Sequence, residues 1–210
     1  MSEPRGHLIA FEGTEGTGKS TQLRLAAAAL RRAGRLVRET REPGGTPIGA
    51  EIRRVVMHFD GDPPAPLTEL LLYLADRVQH IEQLIRPALA RGEVVLTDRF
   101  SASTIAYQGY GRQLDLATVI ELDALARGGV TPDLTVVLDC AVEVGLQRAR
   151  GDDRFHRADL AFHQRVRRGF QELAARDPQR FRVIDATQPA ERVAGDVIAA
   201  VMAVLSDGPH

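Results

Sequence analysis

Short apolar runs alternate with longer amphipathic segments along most of the chain. Five runs rich in Val, Ile and Leu are predicted to be strands: residues 7–12, 35–40, 93–98, 134–139 and 182–186. Uninterrupted apolar runs of this length are typical of strands whose two faces are both buried, as in a parallel sheet. Elsewhere, apolar residues recur at helical spacing, which predicts helices at residues 19–33, 47–57, 67–91, 116–127, 142–150, 160–175 and 190–205.

This alternation of strands and helices predicts the architecture. Parallel strands are joined by right-handed crossovers through a helix. We therefore expect an α/β fold, a doubly wound five-stranded parallel sheet with helices on both faces. No repeat, low-complexity segment or linker divides the 210 residues, so we predict a single domain over residues 1–210. Pro87 predicts a kink in the long third helix.

Composition excludes several classes of function. The apolar fraction of 44% and the charged fraction of 26% are ordinary for a globular domain. The net charge of −1 gives no case for binding nucleic acid or an anionic membrane. We see neither a bilayer-spanning apolar segment nor a signal peptide, and the single Cys140 permits no internal disulfide. These features predict a cytoplasmic protein that binds neither nucleic acid nor membrane.

The segment GTEGTGKS, between the first predicted strand and helix, fits the phosphate-binding pattern G-x-x-x-x-G-K-[ST]. Its glycines let backbone N–H groups point at phosphate oxygens, and the helix adds its positive end. Lys19 is the only lysine among 27 basic residues, which indicates a site that needs an ammonium rather than a guanidinium. We expect Lys19 to contact the β- and γ-phosphates of ATP and Ser20 to bind Mg²⁺. The expected ATP-binding residues here are Gly13, Thr14, Glu15, Gly16, Thr17, Gly18, Lys19, Ser20 and Thr21. A plain glycine turn is the alternative interpretation.

A phosphate-binding loop does not specify what accepts the phosphoryl group. The base-reading N-K-x-D motif of GTPases needs a second lysine, which this chain lacks. A motor ATPase would usually be larger, so a small-molecule kinase is the favoured class. The alternative from another class is a nucleotide-dependent switch with no acceptor.

Phosphoryl transfer needs positive charge around the transferring group, yet the loop carries Glu15 in its middle. Residues 148–168 contain seven arginines, and Gly151 interrupts the helical pattern there. This pattern predicts a mobile lid at about residues 148–158, with Arg148 and Arg154 over the triphosphate. For the later arginines, a solvated helical face is the favoured interpretation: Arg165, Arg167 and Arg168.

Two segments suit an acceptor pocket, which open α/β sheets form at the carboxyl ends of their strands. In TREPGGTP, Arg41, Glu42 and Pro43 follow the second predicted strand. In ELLLYLADRVQH, Tyr73 and Arg77 stand one helical turn apart, a pair that suits a stacked and hydrogen-bonded base. On spacing alone, a core tyrosine beside a surface arginine is the favoured explanation of the second segment.

A third segment, LTDRFSASTIAYQGYGR, follows a buried predicted strand. Asp98 can hold Mg²⁺ directly or through water, and the Arg99 guanidinium suits an acceptor phosphate. Hydroxyl and amide groups that could contact the same substrate follow at Ser103, Thr104, Tyr107 and Gln108.

Together these motifs resemble the thymidylate kinase family, P-loop enzymes that phosphorylate dTMP with ATP. The matching pieces are FEGTEGTGKST, TREPGGTP, LLLYLADRVQH, DRFSASTIAYQG, PDLTVVLD, the lid and IDATQPAERV, which extend in family order from about residue 7 to 205. The resemblance implies Mg²⁺-dependent transfer from ATP to dTMP, for dTTP synthesis, by a homodimer. A kinase for another pyrimidine monophosphate, such as dUMP, is the alternative. One departure is His156, where the family commonly has a glutamate.

The resemblance also implies roles on the acceptor side. Tyr73 matches the aromatic residue that stacks on thymine, and Arg77 and Thr104 match residues that contact the base. Arg99 and Gln108 match contacts to the acceptor phosphate and the nearby sugar.

Further roles concern specificity and charge. Tyr107 matches a ring that leaves no room for a ribose 2′-hydroxyl. Glu15 matches an acidic residue near the sugar 3′-hydroxyl and the water shell of the metal, in members whose catalytic arginines lie in the lid. Arg154 and Arg148 would then neutralise the transferring phosphoryl group. Two residues match the loop beside the donor adenine: Thr187 and Gln188.

Overall fold

The computed structural model describes residues 6–149 and 159–206 of the chain. Within these ranges, five strands form one parallel sheet in the order β2-β3-β1-β4-β5. The strands are β1 His7–Glu12, β2 Val37–Arg41, β3 Val94–Asp98, β4 Leu134–Asp139 and β5 Phe181–Asp185. The predicted α/β architecture with a five-stranded parallel sheet is confirmed.

Helices follow each of the five strands, and polar residues cap several of them. Thr46 accepts a hydrogen bond from the Gly49 N–H at the start of the helix that begins at Pro47, and Asp115 and Asp159 cap the helices that begin at Leu116 and Leu160 in the same way. The helices are α1 Lys19–Arg32, α2 Pro47–His58, α3 Pro66–His80, α4 Arg86–Ala90, α5 Ser101–Thr104, α6 Leu116–Arg127, α7 Val142–Arg148, α8 Leu160–Arg176 and α9 Ala190–Ser206.

The two faces of the sheet are covered by different helices. In β1, Ile9 and Phe11 point to the face that packs against α1 and α9, whereas Leu8 points to the face covered by α4 and the segment before it. In β4, Val137 points to a third cluster with Phe162 of α8. Alternate side chains of one strand therefore enter different clusters, as the pleat of a strand dictates.

The edge strands depart from the prediction of burial on both faces. β2 and β5 each have residues exposed to solvent, and Val183 of β5 is 51% exposed. The central strands β1, β3 and β4 carry the buried apolar runs. Only the central strands therefore fit the pattern of a doubly covered sheet.

Two helical segments were not predicted as the structure has them. The long third helix is interrupted by a π-helical segment, Ile81–Ile85, which lies just before the predicted kink at Pro87. Residues 101–111, which we did not assign to a helix, form α5 and a second π-helical segment, Ile105–Gly111. The second segment positions several candidate site residues, as π-bulges often do.

The chain order of the strands produces the crevice in which the site lies. From β1 the chain runs outward to β2, returns to β3 beside β1, and then crosses to β4 on the other side of β1. The loops that follow β1 and β3 therefore meet at the carboxyl edge of the sheet. This is the position at which open α/β sheets bind ligands.

Candidate active site

The loop after β1 has the shape of a phosphate cradle. Gly13, Gly16 and Gly18 have φ angles of 135°, 69° and 88°, which residues with a side chain rarely adopt. Gly16 also packs directly on α7, because a Cβ placed there would lie 1.8 Å from the Gly145 carbonyl oxygen. The loop therefore depends on glycine both for its turn and for its contact with α7.

Lys19 lies at the first position of α1, and its side chain turns back over the loop. Its Nζ donates to the carbonyl oxygens of Gly13 (3.0 Å) and Thr14 (2.7 Å). Burial lowers the pKa of Lys19 to about 8, and the charge of Arg99 acts in the same direction. The ammonium is thus held inside the cradle, where phosphate oxygens could replace backbone carbonyls as its partners.

Two oxygen groups suited to a magnesium ion stand side by side at the mouth of the cradle. The Ser20 hydroxyl donates to Asp98 Oδ2 at 2.5 Å, and both residues line the same cleft. A hydroxyl and a carboxylate are hard oxygen ligands of the kind that Mg²⁺ prefers, with phosphate and water completing its shell. The residues present therefore fit this ion.

Glu15 is held by groups from three other parts of the chain. Its Oε1 accepts hydrogen bonds from the Tyr107 hydroxyl (2.6 Å) and Arg99 Nη2 (3.3 Å). His163 of α8 lies beside the other oxygen. Burial alone would raise the pKa of the Glu15 carboxyl, but His163, Arg99 and Lys19 together bring it well below its usual range. Glu15 is therefore a carboxylate at neutral pH.

Arg99 connects the end of β3 to the loop after β1. It has a positive φ of 74°, an uncommon conformation for a residue with a side chain, and such strain is concentrated at functional sites. Its Nη1 donates to Ser103 Oγ (3.0 Å) and the Gly13 carbonyl (3.3 Å), and its guanidinium lies 4.9 Å from the Tyr107 ring centroid. The guanidinium thus faces the cleft between the phosphate loop and the predicted acceptor pocket.

Arg77 is the centre of a buried ionic network. Its side chain is 2% exposed and bonds Glu42 Oε2 through Nε (2.9 Å) and Nη2 (2.8 Å). Nη1 donates to Asp123 Oδ1 (2.6 Å) and to Thr104 Oγ1 (2.9 Å). His80 contacts the second oxygen of Glu42 at 2.9 Å. The alternative interpretation of Arg77 as a surface arginine is therefore wrong.

The remaining acceptor-side residues lie around this network. Tyr73 is half-buried, and Gln108 donates to the buried carboxylate of Glu69 at 2.9 Å. The Glu42–Pro43 peptide bond is cis, and Pro43 lines the cleft. Tyr73, Thr104 and Gln108 line the same cleft, so aromatic, hydroxyl and amide groups all contribute to its wall.

One cleft of about 1010 Å³ contains most of the predicted site. The predicted residues that line it are Glu15, Gly16, Gly18, Lys19, Ser20, Thr21, Glu42, Pro43, Tyr73, Arg77, Asp98, Arg99, Ser103, Thr104, Tyr107, Gln108 and Arg148. Five others lie outside its lining: Gly13, Thr14, Thr17, Thr187 and Gln188. Thr14 and Thr17 are buried within the loop, where the Thr17 hydroxyl donates to the Thr14 carbonyl.

The predicted donor-side residues are connected by Arg148. Its Nη1 donates to the Ala186 carbonyl at 2.7 Å, which joins the end of α7 to the loop after β5. Thr187 follows directly and bonds Asp185. Arg154 and His156 lie outside the described residues, as does most of the predicted lid.

Two of the three later arginines are not simply solvated. Arg167 makes two hydrogen bonds to Asp139 at 2.7 and 2.9 Å, and Arg165 donates to the Gly111 carbonyl at 3.1 Å. Arg168 is exposed, as predicted. The prediction for Arg165 and Arg167 was wrong because their partners come from distant segments of the chain.

Several residues of the site were missed by the sequence reasoning. Glu12 is fully buried at the end of β1 and accepts hydrogen bonds from the Phe100 and Ser103 N–H groups. Burial raises its pKa to about 7. A charged residue closing an apolar strand could have indicated Glu12, and the i, i+4 spacing of Asp123 and Arg127 could have indicated that pair. Nothing in the local pattern indicates His163.

The parallel sheet, the phosphate-binding loop and the adjoining polar pocket define a P-loop kinase fold. A sequence profile described as thymidylate kinase matches residues 11–197. The chain belongs to the thymidylate kinase family, which is a family of enzymes.

Individual relatives and a solved structure agree with this assignment. The thymidylate kinase of Geotalea uraniireducens (strain Rf4) is 47% identical over 212 residues, covering 97% of this chain and 100% of the relative. The thymidylate kinase of Deinococcus radiodurans is 51% identical over 203 residues, covering 94% of this chain and 97% of the relative. The crystal structure of thymidylate kinase from Ehrlichia chaffeensis is 34% identical, with a TM-score of 0.78 over 95% of this chain and 99% of that one.

Proposed function

We propose that the protein transfers the γ-phosphoryl group of ATP to dTMP, giving dTDP and ADP, and so serves dTTP synthesis. One observation carries the proposal: a single cleft holds both the phosphate loop, with Lys19, and the pocket formed by Tyr73 and Arg77. Phosphoryl transfer depends mainly on positioning two substrates and stabilising charge between them. A single cleft that is lined both by a phosphate cradle and by aromatic, amide and hydroxyl groups suits that task.

The donor end would hold the triphosphate of ATP. Backbone N–H groups of the loop and the Lys19 ammonium would bind the β- and γ-phosphates, in place of the carbonyls that Lys19 now contacts. Ser20 and Asp98 would hold Mg²⁺, which when bound supplies positive charge to the phosphate oxygens. Thr187 and Gln188 would lie beside the adenine, next to the contact that Arg148 makes with Ala186.

The acceptor end would hold dTMP. Tyr73 would stack on thymine, and Thr104 and Arg77 would contact the base edge. The support for Arg77 is its rigidity, since two carboxylates fix its guanidinium at the lining of the cleft. Arg99 would bind the acceptor phosphate, with Ser103 and Gln108 nearby.

Tyr107 and Glu15 would lie against the sugar. Tyr107 is held by edge contacts with Phe162 and Phe170 and by its hydrogen bond to Glu15. A ring fixed in this way would exclude a 2′-hydroxyl, whereas the Glu15 carboxylate would accept a hydrogen bond from the 3′-hydroxyl.

The transferring group still needs positive charge from outside the loop. We propose that Arg154 and Arg148 supply this positive charge from a lid at about residues 148–158, which completes the single domain.

We also propose that the protein is a cytoplasmic homodimer. Five large apolar side chains exposed on α3 and α6 support a contact between subunits: Leu67, Leu71, Val78, Ile120 and Leu125. Within residues 6–149 and 159–206, no helix is long and apolar enough to cross a membrane.

The direct test measures ADP release with Mg-ATP and a panel of acceptors: dTMP, dUMP, ribo-TMP, dCMP, UMP and none. We expect strong turnover with dTMP, weak turnover with dUMP and almost none with ribo-TMP. Equal ADP release without acceptor would contradict the proposal and indicate an ATPase or a switch. Preference for dUMP over dTMP would assign the protein to another substrate.

A pair of tyrosine variants tests the specificity within the same assay. Tyr107→Ala should relax the discrimination against ribo-TMP, because the ring beside the sugar is removed. Tyr110→Ala is the matched control, since Tyr110 bonds Glu172 and does not line the cleft. Relaxed discrimination in both variants would indicate a general loosening of the segment rather than a role for Tyr107.

A further inference from the structure

A buried histidine of α8 lies against the carboxylate of the phosphate loop. The His163 side chain is 0% exposed, and its Nδ1 is 3.3 Å from Glu15 Oε2. The Phe162 ring packs edge-on against the imidazole, with centroids 5.5 Å apart. His163 itself belongs neither to the phosphate-binding motif nor to any of the three acceptor segments.

The polar atoms that meet in this contact have no other hydrogen-bond partner among the described residues. Glu15 Oε1 is bonded by Tyr107 and Arg99, but the buried Oε2 has no aligned hydrogen bond. Neither ring nitrogen of His163 has one. An unsatisfied buried polar atom costs about 1–3 kcal/mol. Pairing Nδ1 with Oε2 satisfies two such atoms; from a separation of 3.3 Å, a reorientation of the ring with an approach of about 0.4 Å gives an ordinary N–H···O hydrogen bond.

The direction of this hydrogen bond follows from the charge of the partner. The Glu15 carboxylate is ionised and can only accept, so Nδ1 must carry the proton. We propose that His163 is a positioning residue for phosphoryl transfer, whose Nδ1–H donates to Glu15 Oε2 and fixes the orientation of that carboxylate.

This role rests on the proposed function, in which Glu15 contacts the sugar of dTMP. Held at Oε1 alone, the carboxylate could rotate and release Tyr107 and Arg99, which are proposed to contact the same substrate. His163 holds the other oxygen from the opposite element, α8. Its loss should therefore weaken the use of dTMP and leave Mg-ATP binding largely unchanged.

Two substitutions separate the hydrogen bond from packing. His163→Phe keeps a ring in the buried site but removes the donor, whereas His163→Asn keeps an amide N–H near the Nδ1 position but leaves a cavity. We expect His163→Phe to raise the KM for dTMP by about tenfold, the equivalent of one charge-assisted hydrogen bond. His163→Asn should stay within about threefold of the wild type despite a lower Tm.

Val166→Ala is the control on the same helix. Val166 is 0% exposed, lies one turn further along α8 and carries no polar group. The Val166→Ala substitution should lower the Tm because it leaves a cavity, while the KM for dTMP changes by less than about twofold. A structural role alone predicts that activity follows stability across all three variants, and that result would overturn the proposal.

A second readout does not depend on which nucleotide is phosphorylated. Long-range ¹H–¹⁵N spectra of ¹⁵N-histidine-labelled protein report which ring nitrogen carries the proton, and the His163 signals are identified by their absence in His163→Phe. We expect Nδ1 to be protonated in the substrate-free wild type, with its resonance shifted by Glu15→Gln. A ring protonated only at Nε2, or unaffected by Glu15→Gln, would overturn the proposal even if dTMP proves to be the substrate. If the acceptor panel fails while the spectra agree, the proposed function is wrong and the hydrogen bond stands.

Discussion

The contact between α7 and the phosphate loop gives a sharp prediction for Gly145. An ideal Cβ at this position would lie 2.5 Å from the backbone carbonyl oxygen of Glu15, about 1 Å closer than ordinary van der Waals contact allows. Because the obstacle is backbone, no side-chain rotation can relieve it. Gly145→Ala must therefore displace either α7 or the loop.

The stability and activity effects of Gly145→Ala should differ. Replacing glycine by alanine inside a helix favours folding by about 1 kcal/mol, whereas overpacking costs about 1–3 kcal/mol. The free energy of unfolding should thus fall by no more than about 2 kcal/mol. A misplacement of about 1 Å at the cradle can cost up to about 10²-fold in rate, so we expect kcat/KM for Mg-ATP to fall between about ten- and a hundredfold.

Gly195→Ala is a matched control for this variant. Gly195 also lies within a helix, α9, but no atom is within 4 Å of its ideal Cβ. The Gly195→Ala variant should gain up to about 1 kcal/mol of stability, and its kcat/KM for Mg-ATP should be unchanged. Steady-state kinetics with varied Mg-ATP and urea unfolding followed by circular dichroism measure both effects. If Gly145→Ala retains kcat/KM within about twofold, the dependence of the cradle on this contact is refuted.

Three further predictions concern buried and catalytic charges. Arg77→Leu leaves two buried carboxylates without their shared partner and should cost about 3–5 kcal/mol of stability in urea unfolding. The control Arg54→Leu breaks an exposed ion pair and should cost less than about 1 kcal/mol. Equal losses in the two variants would contradict the buried ionic network around Arg77. Burial raises the pKa of Glu12 to about 7, so the contribution of Glu12 to stability is full below about pH 4.5 and is lost as the pH rises through 7. Relative to Glu12→Gln, the free energy of unfolding of the wild type should therefore fall by roughly 3 kcal/mol between pH 5 and pH 8. A difference in stability between the two proteins that does not change with pH would refute this prediction. Arg154→Ala should lower kcat severely with little change in dTMP affinity, and an unchanged kcat would shift the proposed role to Arg148 or Arg150.

The fold was predictable because its signals are local. Apolar runs in β1, β3 and β4 and helical periodicity between them determine strand, helix and parallel pairing. The segment at residues 101–111 was not recognised as helical, since its π-helical part, Ile105–Gly111, lacks the 3.6-residue period. Its interior glycines also weaken the signal of a helix.

The candidate site residues could be predicted where they form short motifs of neighbouring residues. The phosphate loop and the segment from Asp98 to Gln108 could be found in this way. The partners that hold these residues could not, because they come from separate elements: Asp123 of α6 bonds Arg77 at 2.6 Å, and His163 of α8 lies 3.3 Å from Glu15. Such pairs arise when elements that are far apart in the chain pack together, and the local sequence pattern does not indicate them.

The carboxylate in the phosphate loop is compatible with anion binding because its charge is already compensated. Arg99 and Lys19 lower the pKa of Glu15 through their charges, and Tyr107 and His163 lie against its two oxygens. The same contacts connect the loop to β3, to the segment after α5 and to α8. A neutral residue at position 15 would remove a negative charge next to phosphate, yet it would also release Arg99 and Tyr107 from their shared partner. The acidic residue is therefore better understood as the shared partner that holds Arg99 and Tyr107 in place than as an obstacle to binding an anion.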